Sequence, residues 1–217
     1  DYITGWPFNL VNGHYYLSSE ISKLYLITNF LYKTPEYILI SYFCFIFLIF
    51  KEKNFFKEKF LSFNYKLSLL ILILAFPNFL LFIVPYPVYD GMRLFLWTVP
   101  YLCIIPGLTI YYLIKNLNSI KSKMFLIFLS LFIIYFLYNF FSITPYHYTY
   151  LNLLNGDSET RYKKFEGDYW GSSVKELIRN SNFENNKSLS IATCGISPKI
   201  AKNYLKEKGY TNFNLVA

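Results

Sequence analysis

The residues best suited to chemistry lie in a short polar turn that contains Tyr89, Asp90 and Arg93. The turn separates two apolar segments, residues 67–85 and 94–114, which carry no charged side chain. Each has about the ~20 residues that a membrane-spanning helix needs. A guanidinium next to a glycine at the membrane surface suits a phosphate group held at headgroup depth. An anchoring role for Arg93, or an ion pair with Asp90, would explain the same residues.

A second stretch, residues 165–171, places carboxylates beside aromatic rings just before a predicted helix. Its candidates for sugar binding are Asp168, Tyr169 and Trp170. An aromatic ring can stack on the face of a pyranose, and a carboxylate accepts hydrogen bonds from the sugar hydroxyls. The alternative is a structural junction that seats the C-terminal tail on the membrane domain, and the spacing of the residues leaves both interpretations open.

The composition excludes several classes of protein. Of the 217 residues, 54% are hydrophobic and 22% aromatic, in unbroken runs that a soluble domain of this size would not contain. The formal net charge is +8, but the lysines mostly flank the apolar runs, which indicates membrane topology rather than nucleic-acid binding. No nucleotide-binding or metalloprotease motif occurs, and the histidines and cysteines lack ligand spacing. We therefore expect no nucleic-acid partner, and the residues identify neither a metal site nor a cofactor.

Four membrane-spanning helices are predicted, over residues 37–50, 67–85, 94–114 and 124–141. Before them, apolar residues at helical spacing over 21–32 predict an amphipathic helix, which either lies at the membrane surface or packs on protein. Thr34-Pro35 ends that helix, because proline disfavours helical backbone in the residue before it. Pro77-Asn78 predicts a kink in the second span.

The lysine-rich loops predict the orientation in the membrane. Residues 51–66 carry five lysines and residues 115–123 carry three, so the positive-inside rule places both loops in the cytoplasm. Residues 1–36, the turn with Asp90 and Arg93, and residues 143–217 then lie together on the extracytoplasmic side.

The predicted fold class is an α-helical polytopic membrane protein followed by a small extracytoplasmic α/β tail. Its domains are an external loop with an interfacial helix, a four-helix transmembrane region and the tail, over residues 1–36, 37–142 and 143–217. Within the tail, the pattern predicts helix, strand, helix and strand over residues 171–179, 189–194, 198–208 and 213–216. The chain begins at Asp1 without a methionine and stops inside this α/β unit, so we expect a piece of a longer protein.

Several stretches resemble bacterial glycosyltransferases of family 39, the polytopic enzymes related to dolichyl-phosphate-mannose–protein mannosyltransferases. These stretches are Ser18-Ser19-Glu20, Lys33-Thr34-Pro35-Glu36, residues 89–95 followed by Pro100, residues 145–152 and residues 165–171. Their order around four spans is more specific than any one of them. The chain departs from the family pattern where Leu94 replaces a histidine and where Asn155-Gly156-Asp157 replaces paired glycines.

The resemblance implies a GT-C-like fold in a bacterial inner membrane, and transfer of a sugar from a polyprenyl-phosphate carrier to a glycan, lipid or protein acceptor. It implies that Arg93, Asp90 and Tyr89 bind the lipid phosphate. It also implies an acceptor, sugar or junction role for Glu20, Asp168, Tyr169 and Trp170. The catalytic acid of such enzymes lies in a first external loop that no residue here matches, so no catalytic residue is assigned and this chain alone is expected to be inactive. The wider superfamily admits a divalent metal, for which this chain supplies no recognisable ligands.

Two non-enzymatic hypotheses stay open. The first is a transporter or flippase subunit for lipid-linked sugars, which the lack of acids and bases inside the predicted spans disfavours. The second is a membrane-anchored module that binds glycans through its tail. It predicts that residues 143–217 bind a ligand without the spans, whereas the enzyme hypothesis predicts that they bind nothing alone.

Overall fold

The chain folds as two compact units, Asp1–Glu166 and Gly167–Ala217. The computed structural model describes residues 8–17, 20, 22–84, 87–88, 91–161, 163–165, 167–168, 171–182, 188–193 and 197–216. The first unit contains the long apolar helices, and the second is a small α/β unit.

A β-hairpin opens the described part of the first unit. Strand β1 (Phe8–Val11) pairs antiparallel with β2 (His14–Leu17). Asn12 and Gly13 have φ values of 49° and 84°, as a two-residue hairpin turn requires when it follows the right-handed twist of its strands. The sequence predicts this turn but not the strands, because four residues are too few to show a clear alternation of polar and apolar side chains.

A sharp elbow joins helix α1 (Tyr25–Lys33) to helix α2 (Glu36–Lys51), and their directions differ by 112°. Thr34 has an extended backbone (φ −84°, ψ 137°), so the predicted end of the first helix before Pro35 is confirmed. One face of α1 packs on protein, and its buried residues are Tyr25, Leu26 and Asn29.

A short helix, α3 (Lys53–Lys59), lies in the lysine-rich loop for which the sequence predicts no structure. Its Phe56 is fully buried. The Phe56 ring stacks on Phe63 with a centroid separation of 5.2 Å and meets the edge of Phe45 at 5.6 Å. Aromatic packing therefore closes this end of the helical bundle.

Among the described residues, three helices are long and apolar enough to cross a membrane. They are α4 (Phe63–Ile83), the 3₁₀ helix Arg93–Thr98 continued by α5 (Val99–Lys115), and α6 (Ile120–Ser142). Their ends agree with the predicted spans to within four residues, and Pro77 lies inside an uninterrupted α4. The α1–α2 pair provides a fourth crossing if the two helices form one broken span.

The apolar side chains of these helices face outwards. In the most apolar 18-residue stretch of each helix, few residues are buried within the chain: 17% in α4, 22% in the helix over Arg93–Lys115 and 6% in α6. Water would solvate such surfaces poorly, whereas a hydrocarbon layer accommodates them and leaves the backbone hydrogen bonds inside each helix. The chain therefore has the helices of a membrane protein.

The first unit continues beyond α6 with two 3₁₀ turns, His147–Thr149 and Leu153–Asn155, and with α7 (Ser158–Arg161). The predicted tail begins at residue 143, but residues 143–166 belong to the first unit. The reason is a set of hydrogen bonds from Asn152 and Asn155 to the end of α1, which pattern analysis does not detect.

The second unit has the predicted order of helix, strand, helix and strand. These elements are α8 (Val174–Asn180), β3 (Leu189–Ala192), α9 (Pro198–Glu207) and β4 (Phe213–Val216). The two strands are parallel, with Leu189 opposite Phe213. Buried side chains from both helices form its core with Tyr210, namely Val174, Ile178 and Leu205.

Candidate functional site

Arg93 begins the 3₁₀ helix that follows α4, and its side chain is exposed. Gly91, two residues earlier, is buried and has a φ of +63°, a left-handed conformation that favours glycine. The backbone path that leads to Arg93 therefore depends on this glycine. Tyr89 and Asp90, the other predicted residues of the phosphate site, lie outside the described residues.

A second cation, Lys33, reaches the same turn from the end of α1. A Cβ atom at Gly91 would lie 2.7 Å from Nζ of Lys33 and 3.4 Å from Oδ1 of Asn29. The absence of a side chain at Gly91 therefore leaves the space that the ammonium occupies. The same Nζ lies 5.5 Å from the centroid of the Phe165 ring, within the range of a cation–π contact. Lys33 thus places one cation next to Gly91, and Arg93 provides a second cation two positions later in the chain.

A shared apolar core fixes this turn relative to α1 and the hairpin. Its buried members are Val11, Tyr25, Leu26, Leu81, Val88 and Phe165. Val88 is fully buried, and its carbonyl accepts a hydrogen bond from Nδ2 of Asn9 at 3.1 Å. Asn29 is also buried and donates to the carbonyl of Tyr25 at 2.9 Å. The two cations are therefore carried on a packed support.

Glu36 holds the segment after α6 against the start of α2. This carboxylate is buried in the first turn of α2, where the helix dipole favours negative charge. It accepts hydrogen bonds from the Tyr150 hydroxyl and from the Leu153 backbone N–H, each at 2.8 Å. Burial raises the pKa of the Tyr150 hydroxyl well above its ordinary value, and the hydrogen bond to Glu36 raises it further.

Two asparagines from the same segment bind the end of α1, whose last carbonyls have no partner within the helix. Nδ2 of Asn152 donates to the carbonyls of Leu31 at 2.6 Å and Thr34 at 2.8 Å. Nδ2 of Asn155 donates to the carbonyl of Tyr32 at 2.9 Å. These bonds fix the elbow between α1 and α2, and with it the helix end that carries Lys33. Sequence reasoning did not assign this role to Glu36, Asn152 or Asn155.

An apolar cavity of about 220 Å³ lies beneath α1, between α2, α4 and the 3₁₀ helix. Its wall includes Met92, the residue between Gly91 and Arg93. Apolar side chains elsewhere in the wall include Leu26, Phe30, Pro77 and Phe95. A wider groove of about 650 Å³ lies between α2 and α6 and is lined mainly by phenylalanine and aliphatic side chains. The cavity, unlike the groove, adjoins the turn with the two cations.

The other predicted site residues have separate positions. Glu20 is exposed, and its backbone N–H donates to the carbonyl of Leu17 just after the hairpin. Asp168 belongs to the second unit, where its carboxylate accepts hydrogen bonds from the backbone N–H groups of Ser172 at 2.9 Å and Ser173 at 2.7 Å. Asp168 therefore stabilises the turn that leads into α8. Tyr169 and Trp170 lie outside the described residues.

Within the described part of the chain, no group of three His, Cys, Asp or Glu side chains could hold a metal ion. The site therefore consists of two cations, a glycine turn and an apolar cavity. Such a combination suits an anionic headgroup attached to a hydrocarbon chain. No protein-family model, curated protein or solved structure matches the chain.

Proposed function

We propose that this chain forms the lipid-phosphate site of an integral-membrane glycosyltransferase with a GT-C-like fold, in line with its resemblance to family 39. The donor is a polyprenyl-phosphate-linked sugar, and the acceptor is a glycan, lipid or protein. The observation that supports this most is the apolar cavity beside a turn that carries Arg93 and Lys33. The two cations bind the phosphate, and the cavity accepts the part of the donor that adjoins it.

The cations have a chemical task in this reaction. The acceptor hydroxyl oxygen attacks the anomeric carbon of the sugar, the bond from that carbon to the phosphate oxygen breaks, and polyprenyl phosphate leaves. Negative charge grows on the phosphate as this bond breaks, so Arg93 and Lys33 stabilise the transition state more than the bound donor. The proton of the acceptor passes to an acidic general base, which the family resemblance places in a different external loop.

We infer that the site faces the extracytoplasmic side of a bacterial inner membrane. The support is the lysine content of residues 51–66 and 115–123, which the positive-inside rule assigns to the cytoplasm. Single cysteines introduced at Asn54 and Asn118 should react only with reagents that enter the cytoplasm. A cysteine at Asn12 should react from outside, and the reverse pattern would refute the proposed orientation.

The proposed function is tested by replacing Arg93 in the complete protein and measuring sugar transfer from undecaprenyl-phosphate mannose in membranes. A hydrogen bond to a charged group contributes roughly 1.5–3 kcal/mol. Arg93→Ala should therefore lower kcat/KM by about 10- to 150-fold. Arg93→Lys keeps the charge and should lose much less.

Lys115 provides the matched control, because it is a cation at the other end of α5 whose Nζ contacts the Tyr111 ring at 5.8 Å. Lys115→Ala should leave transfer unchanged. Equal activity of wild type, Arg93→Ala and Arg93→Lys would return Arg93 to an anchoring role. Lipid binding without sugar transfer by the complete protein would favour the transporter hypothesis.

A further inference from the structure

Asn78 is a polar residue of α4 that lines the cavity beneath α1. Its Oδ1 atom is buried and has no hydrogen-bond partner in the described part of the chain. Two other helical asparagines donate through Nδ2 to the carbonyl one turn earlier. Asn29 donates to the carbonyl of Tyr25 at 2.9 Å, and Asn139 donates to the carbonyl of Tyr135 at 3.0 Å.

An unpaired amide oxygen is unfavourable, and membrane depth makes it more so because lipid offers no hydrogen bonds in exchange. Native structures rarely contain such an atom without a bound water, ion or ligand group. The cavity is far larger than the roughly 10–15 Å³ that one water needs, since its volume is about 220 Å³. It has room for a substantial polar group next to Asn78.

Two further oxygens in the cavity wall are also suited to accept hydrogen bonds. The Tyr42 hydroxyl donates to the carbonyl of Leu102, and the Thr98 hydroxyl donates to the carbonyl of Phe95, each at 2.7 Å. A hydroxyl that donates its proton still has lone pairs that accept. The cavity thus presents acceptors from Asn78, Tyr42 and Thr98.

The acceptors define the chemistry of the group that fills the cavity. A hydrocarbon chain has neither donors nor acceptors, and an ionised phosphate offers only acceptors, whereas each sugar hydroxyl can donate to these oxygens and also accept from the NH2 group of the Asn78 amide. We propose that the sugar of the lipid-linked donor enters this cavity and that a sugar hydroxyl donates a hydrogen bond to Oδ1 of Asn78. This inference rests on the proposed function, and it makes Asn78 a determinant of preference for the glycosylated lipid.

The test compares binding of undecaprenyl phosphate with and without a mannose to this chain in lipid nanodiscs. Asn78→Leu has similar size but no amide, so it should weaken binding of the mannosylated lipid about 3- to 10-fold and leave the sugar-free lipid within twofold. Thr98→Val removes a second acceptor and should lower the same ratio. Asn64→Leu is the control, because Asn64 lies in α4 but is exposed.

Thermal unfolding without ligand provides a second readout. Asn78→Leu removes an unpaired buried oxygen, so the melting temperature should rise. Replacement of an asparagine that stabilises the fold would instead lower the melting temperature. An unchanged lipid ratio in both variants, or a lower melting temperature for Asn78→Leu, would overturn the assignment and leave the cavity to water or a lipid chain. If wild type binds neither lipid, the proposed function itself fails. If wild type binds both lipids and the variants keep the same ratio of affinities for the mannosylated and the sugar-free lipid, only the role of Asn78 fails.

Discussion

Replacement of Gly91 by alanine tests whether the turn requires the space next to Gly91 that the Lys33 ammonium occupies. The added Cβ would stand 2.7 Å from Nζ of Lys33, closer than real Cβ contacts, so the flexible lysine side chain would have to move. It would also stand 3.4 Å from Oδ1 of the buried Asn29, which can yield less. The φ of +63° adds backbone strain for any residue with a side chain.

The size of the effect follows from these two causes. An alanine in the left-handed region costs roughly 1–2 kcal/mol. Gly91→Ala should therefore lower the free energy of unfolding by about that amount. Displacement of Lys33 also removes one of two cations from the phosphate, which should weaken binding of undecaprenyl phosphate at least about tenfold.

Both quantities can be measured on the purified chain, by denaturant unfolding in mixed micelles and by lipid titration in nanodiscs. Gly107→Ala is the matched control, because Gly107 lies inside α5 and an added Cβ there would meet no heavy atom within 4 Å. That variant should be neutral or more stable by up to about 1 kcal/mol. If Gly91→Ala has the same free energy of unfolding and the same affinity for lipid phosphate as Gly107→Ala, Gly91 has no special role in the turn.

Three other predictions concern the supports of the site and the second unit. Glu36→Ala leaves the Tyr150 hydroxyl and the Leu153 N–H without their acceptor. The free energy of unfolding in denaturant should fall by about 1–3 kcal/mol for each group, and a total loss below about 1 kcal/mol would contradict this prediction. Burial raises the pKa of Tyr150, so the wild-type chain should lose stability as pH rises above about 10. Tyr150→Phe should lose less stability over the same range. Parallel pH profiles for the two proteins would show that ionisation of Tyr150 does not affect folding. Asp168→Ala removes the acceptor of the Ser172 and Ser173 N–H groups just before α8, so it should destabilise the second unit by about 1 kcal/mol in proteolysis or hydrogen exchange and leave lipid-phosphate binding unchanged. A large loss of lipid binding would restore Asp168 to the site.

The long helices could be predicted because their signal is local. About twenty apolar residues in a row, bounded by lysines, identify a span without knowledge of its neighbours. The elbow at Thr34-Pro35 was equally accessible, since proline acts on the residue beside it. The second unit also agreed, because Pro198 and Gly209 mark the limits of α9 through their own backbone preferences.

The extent of the first unit could not be predicted because its decisive contacts are distant in sequence. Asn152 binds the carbonyl of Leu31, and Tyr150 binds Glu36, more than a hundred positions apart. No periodicity records such pairs. Helix α3 was missed for a related reason, since Phe56 becomes a core residue only when Phe45 and Phe63 pack around it.

The candidate site was predicted only in part. Arg93 was apparent from its place between two apolar runs. Lys33 could have been suspected as a cation in the last turn of an amphipathic helix, but its approach to Gly91 depends on the bend at the elbow. The sequence predicts only a kink at Asn78, because the buried oxygen and the cavity beside it are properties of the packed chain.

The central claim is that lipid phosphate binds at the cavity beneath α1, and photocrosslinking tests it most directly. An analogue of undecaprenyl-phosphate mannose with a diazirine on the mannose should be irradiated with the chain in nanodiscs, and the adducts mapped by mass spectrometry. We expect adducts at Phe30, Met92 and Phe95, and their loss in Gly91→Ala. Adducts confined to the groove between α2 and α6, at Phe43 and Phe128, would contradict it.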